Sequence, residues 1–113
     1  GVSLHSRSHG ESLLALVENR FGCNGLYILD EPETALSPAR MLRLMYCIDE
    51  LVKRDSQFII STHSPILMAF PGAEVFELSE NGICSVPYQE TEHFRITKQF
   101  VNTPEKMLHY LFE

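Results

Sequence analysis

Two adjacent carboxylates, Asp30 and Glu31, follow the apolar run Leu26-Tyr27-Ile28-Leu29, and a histidine, His63, follows the apolar run Phe58-Ile59-Ile60. At the carboxyl end of a strand, an aspartate is placed to hold Mg²⁺, directly or through water, because Mg²⁺ keeps several waters and takes few protein carboxylates. The adjacent glutamate points a different way and can accept a proton from an attacking water. A strand-end histidine can hydrogen-bond a phosphate or orient that water. Each feature also has a plainer reading. The acids can simply open a polar loop, and a Ser-Thr-His-Ser turn can cap its own backbone. The juxtaposition favours chemistry. If the two apolar runs are neighbouring parallel strands, all three residues share the rim where open α/β sheets bind ligands.

The flanking elements are those such a rim requires. Leu13, Leu14, Val17 and Phe21 follow helical spacing from Glu11, and Gly22 stands where a helix stop belongs. Asn24-Gly25 predicts a turn, and Leu26–Leu29 a strand buried on both faces. Ser37-Pro38 is an N-cap followed by a proline at the first helical position. Met41, Leu44, Met45, Ile48, Leu51 and Val52 then trace an apolar helix face up to about Arg54. Phe58–Ile60 predicts a second buried strand, and a short helix starts near Pro65. Asn81-Gly82, between Val75–Leu78 and Ile83–Val86, predicts a hairpin. Tyr88–Lys98 reads as a solvated helix or an edge, and a last helix begins near Thr103-Pro104. This alternation specifies an α/β domain with a mostly parallel sheet.

Composition narrows the function classes. The chain has 113 residues, within the length of one domain, with 44% hydrophobic and 21% charged residues, which excludes disorder and collagen-like repeats. Nine Lys and Arg against fifteen Asp and Glu give a net charge of −6, which argues against a surface built to grip nucleic acid backbones and leaves room for a local basic patch. Three cysteines with no C-x-x-C imply buried thiols in a reducing compartment. No apolar run approaches the ~18 residues of a membrane span, and no secretory leader is evident. A cytoplasmic domain is the expectation.

LYILDEP resembles the Walker B strand of ATP-binding-cassette (ABC-type) ATPases, Thr34-Ala35-Leu36-Ser37 their D-loop, and Ile60-Ser61-Thr62-His63-Ser64 the switch strand ending in the H-loop histidine. Ser8-His9-Gly10-Glu11 is similar to the family's signature motif. The four motifs occur in family order across residues 7–64, and their wording looks most like the stand-alone AAA-type ATPases. The resemblance implies that residues 1–113 are a single partial domain, the C-terminal half of a P-loop NTPase, with a mostly parallel sheet flanked by helices and a terminal β-hairpin. It implies ATP and Mg²⁺, with Asp30 holding Mg²⁺ through water, Glu31 as general base and His63 on the terminal phosphate. Ser8, Gly10 and Glu11 would meet the ATP of a second protomer, since the family sandwiches nucleotide between two subunits. A hydroxyl and a glycine N–H before a helix N-terminus suit an anion.

The departures are specific. Arg7, His9 and Glu11 replace the usual Leu, Gly and Gln, and Ser37 replaces the D-loop Asp. They keep a second function open, a degenerate cassette used for nucleotide-regulated assembly without useful hydrolysis. No G-x-x-x-x-G-K-[ST] occurs, so the phosphate cradle and its lysine must come from a separate N-terminal half, and the 113 residues alone are expected to be inactive. The expected partners are that half and a second ATPase protomer.

Overall fold

A computed structural model describes residues 24–113, and the expected helix from Glu11, together with Ser8, Gly10 and Glu11, lies outside the described residues. The chain divides after Leu67 into two compact units.

In the first unit, β1 (Leu26–Asp30) pairs in parallel with β2 (Gln57–Ser61), and helix α1 (Pro38–Val52) connects them. The register sets Leu26 opposite Gln57 and Asp30 opposite Ser61, so the two strands end level. That puts the residues after each strand side by side, as the rim argument requires. The ladder continues one step further, with the Glu31 N–H donating to the Ser61 carbonyl at 2.8 Å. Ser37 caps α1, its hydroxyl accepting from the Arg40 N–H at 3.3 Å. Met41, Leu44, Ile48 and Leu51 are buried, as their spacing predicts, and with Leu29 and Leu67 they form the apolar core of this unit among the described residues. The Tyr27 and Phe58 rings, opposite each other in register, stack at 4.8 Å between centroids.

The expectation that β1 is buried on both faces is corrected. Leu26 and Ile28 are 57% and 50% exposed, and Ile59 on β2 is 54% exposed, whereas Leu29 is buried. Alternate residues of a strand point to opposite faces, and in the described chain only one face of this pair is packed.

In the second unit, β3 (Phe76–Ser79) and β4 (Gly82–Ser85) form an antiparallel hairpin. The turn residues are Glu80 and Asn81, and the positive φ, 106°, falls on Gly82. The expected hairpin therefore forms, with its left-handed residue after the two-residue turn, as in a type I turn followed by a bulge. Two helices follow, α2 (Glu92–Asn102) and α3 (Pro104–Phe112). Thr91 is buried and caps α2, accepting from the Phe94 N–H at 3.3 Å while donating to the Tyr88 carbonyl at 2.7 Å. The expectation of buried thiols fails at Cys84, which lies exposed on β4, while Cys47 on α1 is half-buried. Among the described residues no helix is long and apolar enough to cross a membrane.

Candidate functional site

The level ends of β1 and β2 bring together the residues whose chemistry was read from sequence. The Ser61 hydroxyl donates to Asp30 Oδ1 at 2.5 Å, across a registered pair. One position beyond Asp30 and two beyond Ser61, Glu31 Oε1 and His63 Nδ1 lie 2.7 Å apart. A carboxylate only accepts, so Nδ1 carries the proton in this pair. The second ring nitrogen, Nε2, is then an acceptor in the neutral ring and a donor only in the imidazolium. The site is open to solvent, with the Glu31 and His63 side chains 41% and 63% exposed.

Local backbone geometry aims Glu31. Its φ and ψ are 46° and 57°, left-handed values for a residue with a Cβ. Such a conformation costs about 1–2 kcal/mol. It is held by the Ser61 carbonyl on its N–H, and by the Thr34 N–H and hydroxyl, both donating to the Glu31 carbonyl at 3.1 and 2.9 Å. The following residues, Pro32–Ala35, form a single 3₁₀ turn with Pro32 buried, so the chain reverses tightly after the acids. Strain concentrated at a strand end and compensated by neighbours is a common mark of functional sites.

Sequence reasoning missed Glu33. Its Oε1 accepts from the Thr62 hydroxyl at 2.7 Å and its Oε2 from the His63 N–H at 2.6 Å, and the Thr62 hydroxyl oxygen also accepts from the Ser64 N–H at 2.9 Å. One ligand-type atom from each of Glu31, Glu33 and His63 lies within 4.8 Å of the others. Asp30, the sequence-derived Mg²⁺ residue, is outside this cluster and is tied to Ser61 instead. The available signal for Glu33 was a third acid on the same rim, facing a turn rich in N–H and hydroxyl donors. Spacing alone gives no reason to choose it. Beside the cluster, Leu36, Pro38, Met41 and Ile66 line a hollow of about 250 Å³ that Glu33 and His63 border.

The donor set fits a hard divalent cation. Asp30 and Glu31 present carboxylate oxygens at one strand end, and oxygen ligands suit Mg²⁺, whereas both Glu33 oxygens accept hydrogen bonds from the β2 rim. Asp30 uses one oxygen on Ser61, and its other oxygen has no protein partner among the described residues.

Residues 3–69 match the family model described as "AAA domain, putative AbiEii toxin, Type IV TA system". The chain is also similar to an "Uncharacterized ABC transporter ATP-binding protein" of Haemophilus influenzae, 34% identical over 77 residues, a stretch covering 67% of this chain and 29% of that relative. The matching stretch is thus less than a third of that relative's length.

Proposed function

Because the chain belongs to this AAA-domain family, with the ABC/AAA type of P-loop ATPase as its kin, we propose that it is the C-terminal part of a cytoplasmic ATP-hydrolysing cassette. The observation that carries the reading is the 2.7 Å contact between Glu31 and His63 at the ends of two registered parallel strands.

Glu31 is the general base. Its Oε1 accepts from His63, and the carboxylate keeps lone pairs for the proton of a water attacking the terminal phosphate. His63 holds that carboxylate through Nδ1 and meets the phosphate through Nε2, which donates only when the ring is charged. Asp30 would hold Mg²⁺, which when bound neutralises charge building on the phosphate oxygens. The α and β phosphates need a P-loop, and none occurs in these 113 residues. The partners in this proposal are therefore the N-terminal half that carries the loop and a second protomer, whose Ser8, Gly10 and Glu11 face the shared nucleotide. The exposed Leu26, Ile28 and Ile59 face of the strand pair supports the first of these, since a central sheet in such a domain is covered on both sides. The net charge of −6 gives no support to a nucleic acid partner.

The test is ATP turnover by the full-length protein and its Glu31→Gln form. Loss of a general base costs about 10²–10⁴-fold in rate, so the expected result is a kcat lower by about 100-fold or more with nucleotide binding retained. Equal turnover by both proteins removes Glu31 from the role of base.

A further inference from the structure

We propose that Glu33 is the positioning residue of this site, acting on the Glu31–His63 pair through the turn that carries His63. The inference rests on the function proposed above and adds a residue to it. Both Glu33 oxygens are committed to the β2 rim, one to the Thr62 hydroxyl at 2.7 Å and one to the His63 N–H at 2.6 Å. These are charge-assisted bonds, shorter and stronger than neutral ones. The Thr62 hydroxyl passes the constraint on, because its oxygen accepts from the Ser64 N–H. Three consecutive residues, Thr62, His63 and Ser64, are therefore tied directly or by one step to a single carboxylate.

The other end of the brace is equally fixed. Glu33 lies in the 3₁₀ turn that begins immediately after Glu31, and the Glu31 carbonyl accepts from both the N–H and hydroxyl of Thr34. The Glu31 carboxylate and the His63 ring are side chains, exposed and separately rotatable, and their 2.7 Å contact depends on where the two backbones stand. Glu33 joins those backbones at the point where the ladder between β1 and β2 has ended. It sits two residues from the base and bonds the backbone of the histidine itself, without occupying the Nδ1 contact. Misplacement of a reacting group by about 1 Å can cost 10²-fold in rate, which gives such a brace a kinetic consequence.

The test compares full-length wild type with Glu33→Ala and Glu33→Gln in three readouts. The first is amide hydrogen exchange at residues 62–64. The second is the His63 ring tautomer at about pH 8, from imidazole ¹⁵N shifts. The third is kcat and KM for ATP. In Glu33→Ala, exchange at 62–64 rises by about tenfold or more, the Nδ1–H tautomer seen in wild type gives way to Nε2–H, and kcat falls about tenfold or more with KM changed by less than about threefold. Glu33→Gln keeps one carbonyl acceptor and lies between wild type and Glu33→Ala in all three. It carries the test if Glu33→Ala fails to fold. Unchanged exchange and tautomer overturn the proposal. Faster exchange with unchanged tautomer and kcat reduces Glu33 to a structural tie and also overturns it. If wild type hydrolyses no ATP, the proposed function fails, and the exchange and tautomer data still decide whether Glu33 sets the Glu31–His63 contact.

Discussion

The two units of this chain make their structure from different kinds of contact. In the first, strands far apart in sequence pair in parallel, and a helix with four buried apolar residues connects them. In the second, neighbouring segments pair, a tight hairpin followed by two helices of which the first is capped by Thr91, and among its described residues only Met68 and Thr91 are buried. Leu78, Ile83, Val101, Leu111 and Phe112 are all exposed there. The Glu31–His63 pair and the Glu33 contacts both sit in the first unit, whereas the second holds an exposed His109–Glu113 pair at the end of one helix. Parallel pairing brings together the ends of two strands, each followed by a turn free to carry polar groups. A two-residue hairpin joins its strands at that end and leaves no such rim. Parallel pairing and its connecting helix thus build both a core and a site.

Core substitutions should show the contrast most strongly. Leu44 has no exposed surface, so Leu44→Ala is expected to lower unfolding stability by about 2–5 kcal/mol. Leu78, 73% exposed, is expected to give a change within about 0.5 kcal/mol when replaced by alanine. Urea unfolding of the full-length protein measures both. Equal losses would mean that the second unit is packed in the full-length protein, and the contrast between units would disappear.

How much of this was legible in the sequence follows from the same contrast. The strand ends, α1 and its Ser37 cap were readable because apolar spacing and capping residues are local signals. That Asp30, Glu31 and His63 share one rim was readable because the ends of neighbouring parallel strands lie side by side, and the register pairs Asp30 with Ser61. Glu33 was not readable, because its partners lie about thirty residues away and are a hydroxyl and a backbone N–H, which leave no pattern in residue types. Burial of β1 on both faces was misjudged for a related reason. A continuous apolar run reports that a strand prefers cover on both faces, and says nothing of which chain segment supplies it. The exposure of Cys84 was missed because a cysteine in an apolar hairpin looks the same whether its face is covered or open.

A smaller effect separates the helix caps. Thr91 is buried and bonds both the Tyr88 carbonyl and the Phe94 N–H, whereas the Ser37 cap is exposed. Thr91→Ala is expected to cost about 1–2 kcal/mol and Ser37→Ala about 0.5–1 kcal/mol. A larger loss at Ser37 would show that α1 depends on its cap more than on its buried face.

The smallest effect is at Lys53, whose ammonium lies 2.9 Å from Asp49 on the exposed side of the α1 terminus. The hydrogen bond that the ammonium donates to Asp49, and then the Asp49 charge, hold the lysine pKa above the ordinary 10.5. Any stability from this pair is therefore present below pH 10.5 and is lost as pH rises through the higher folded value. Solvent screening weakens such pairs, so Lys53→Met is expected to leave Tm unchanged within error at neutral pH. A clear drop would indicate that Lys53 has a further role in the full-length protein.

The central claim is that Glu31 and His63 work as one unit, and a double-mutant cycle on single-turnover ATP hydrolysis tests it most directly. The full-length wild type would be compared with Glu31→Gln, His63→Ala and the double variant. Groups that act together are non-additive. Each single change is therefore predicted to lower the rate by about 100-fold or more, with the loss in the double variant far short of the product of the two single losses. Independent, multiplicative losses would contradict the account, because the 2.7 Å contact would then join two residues that serve the reaction separately.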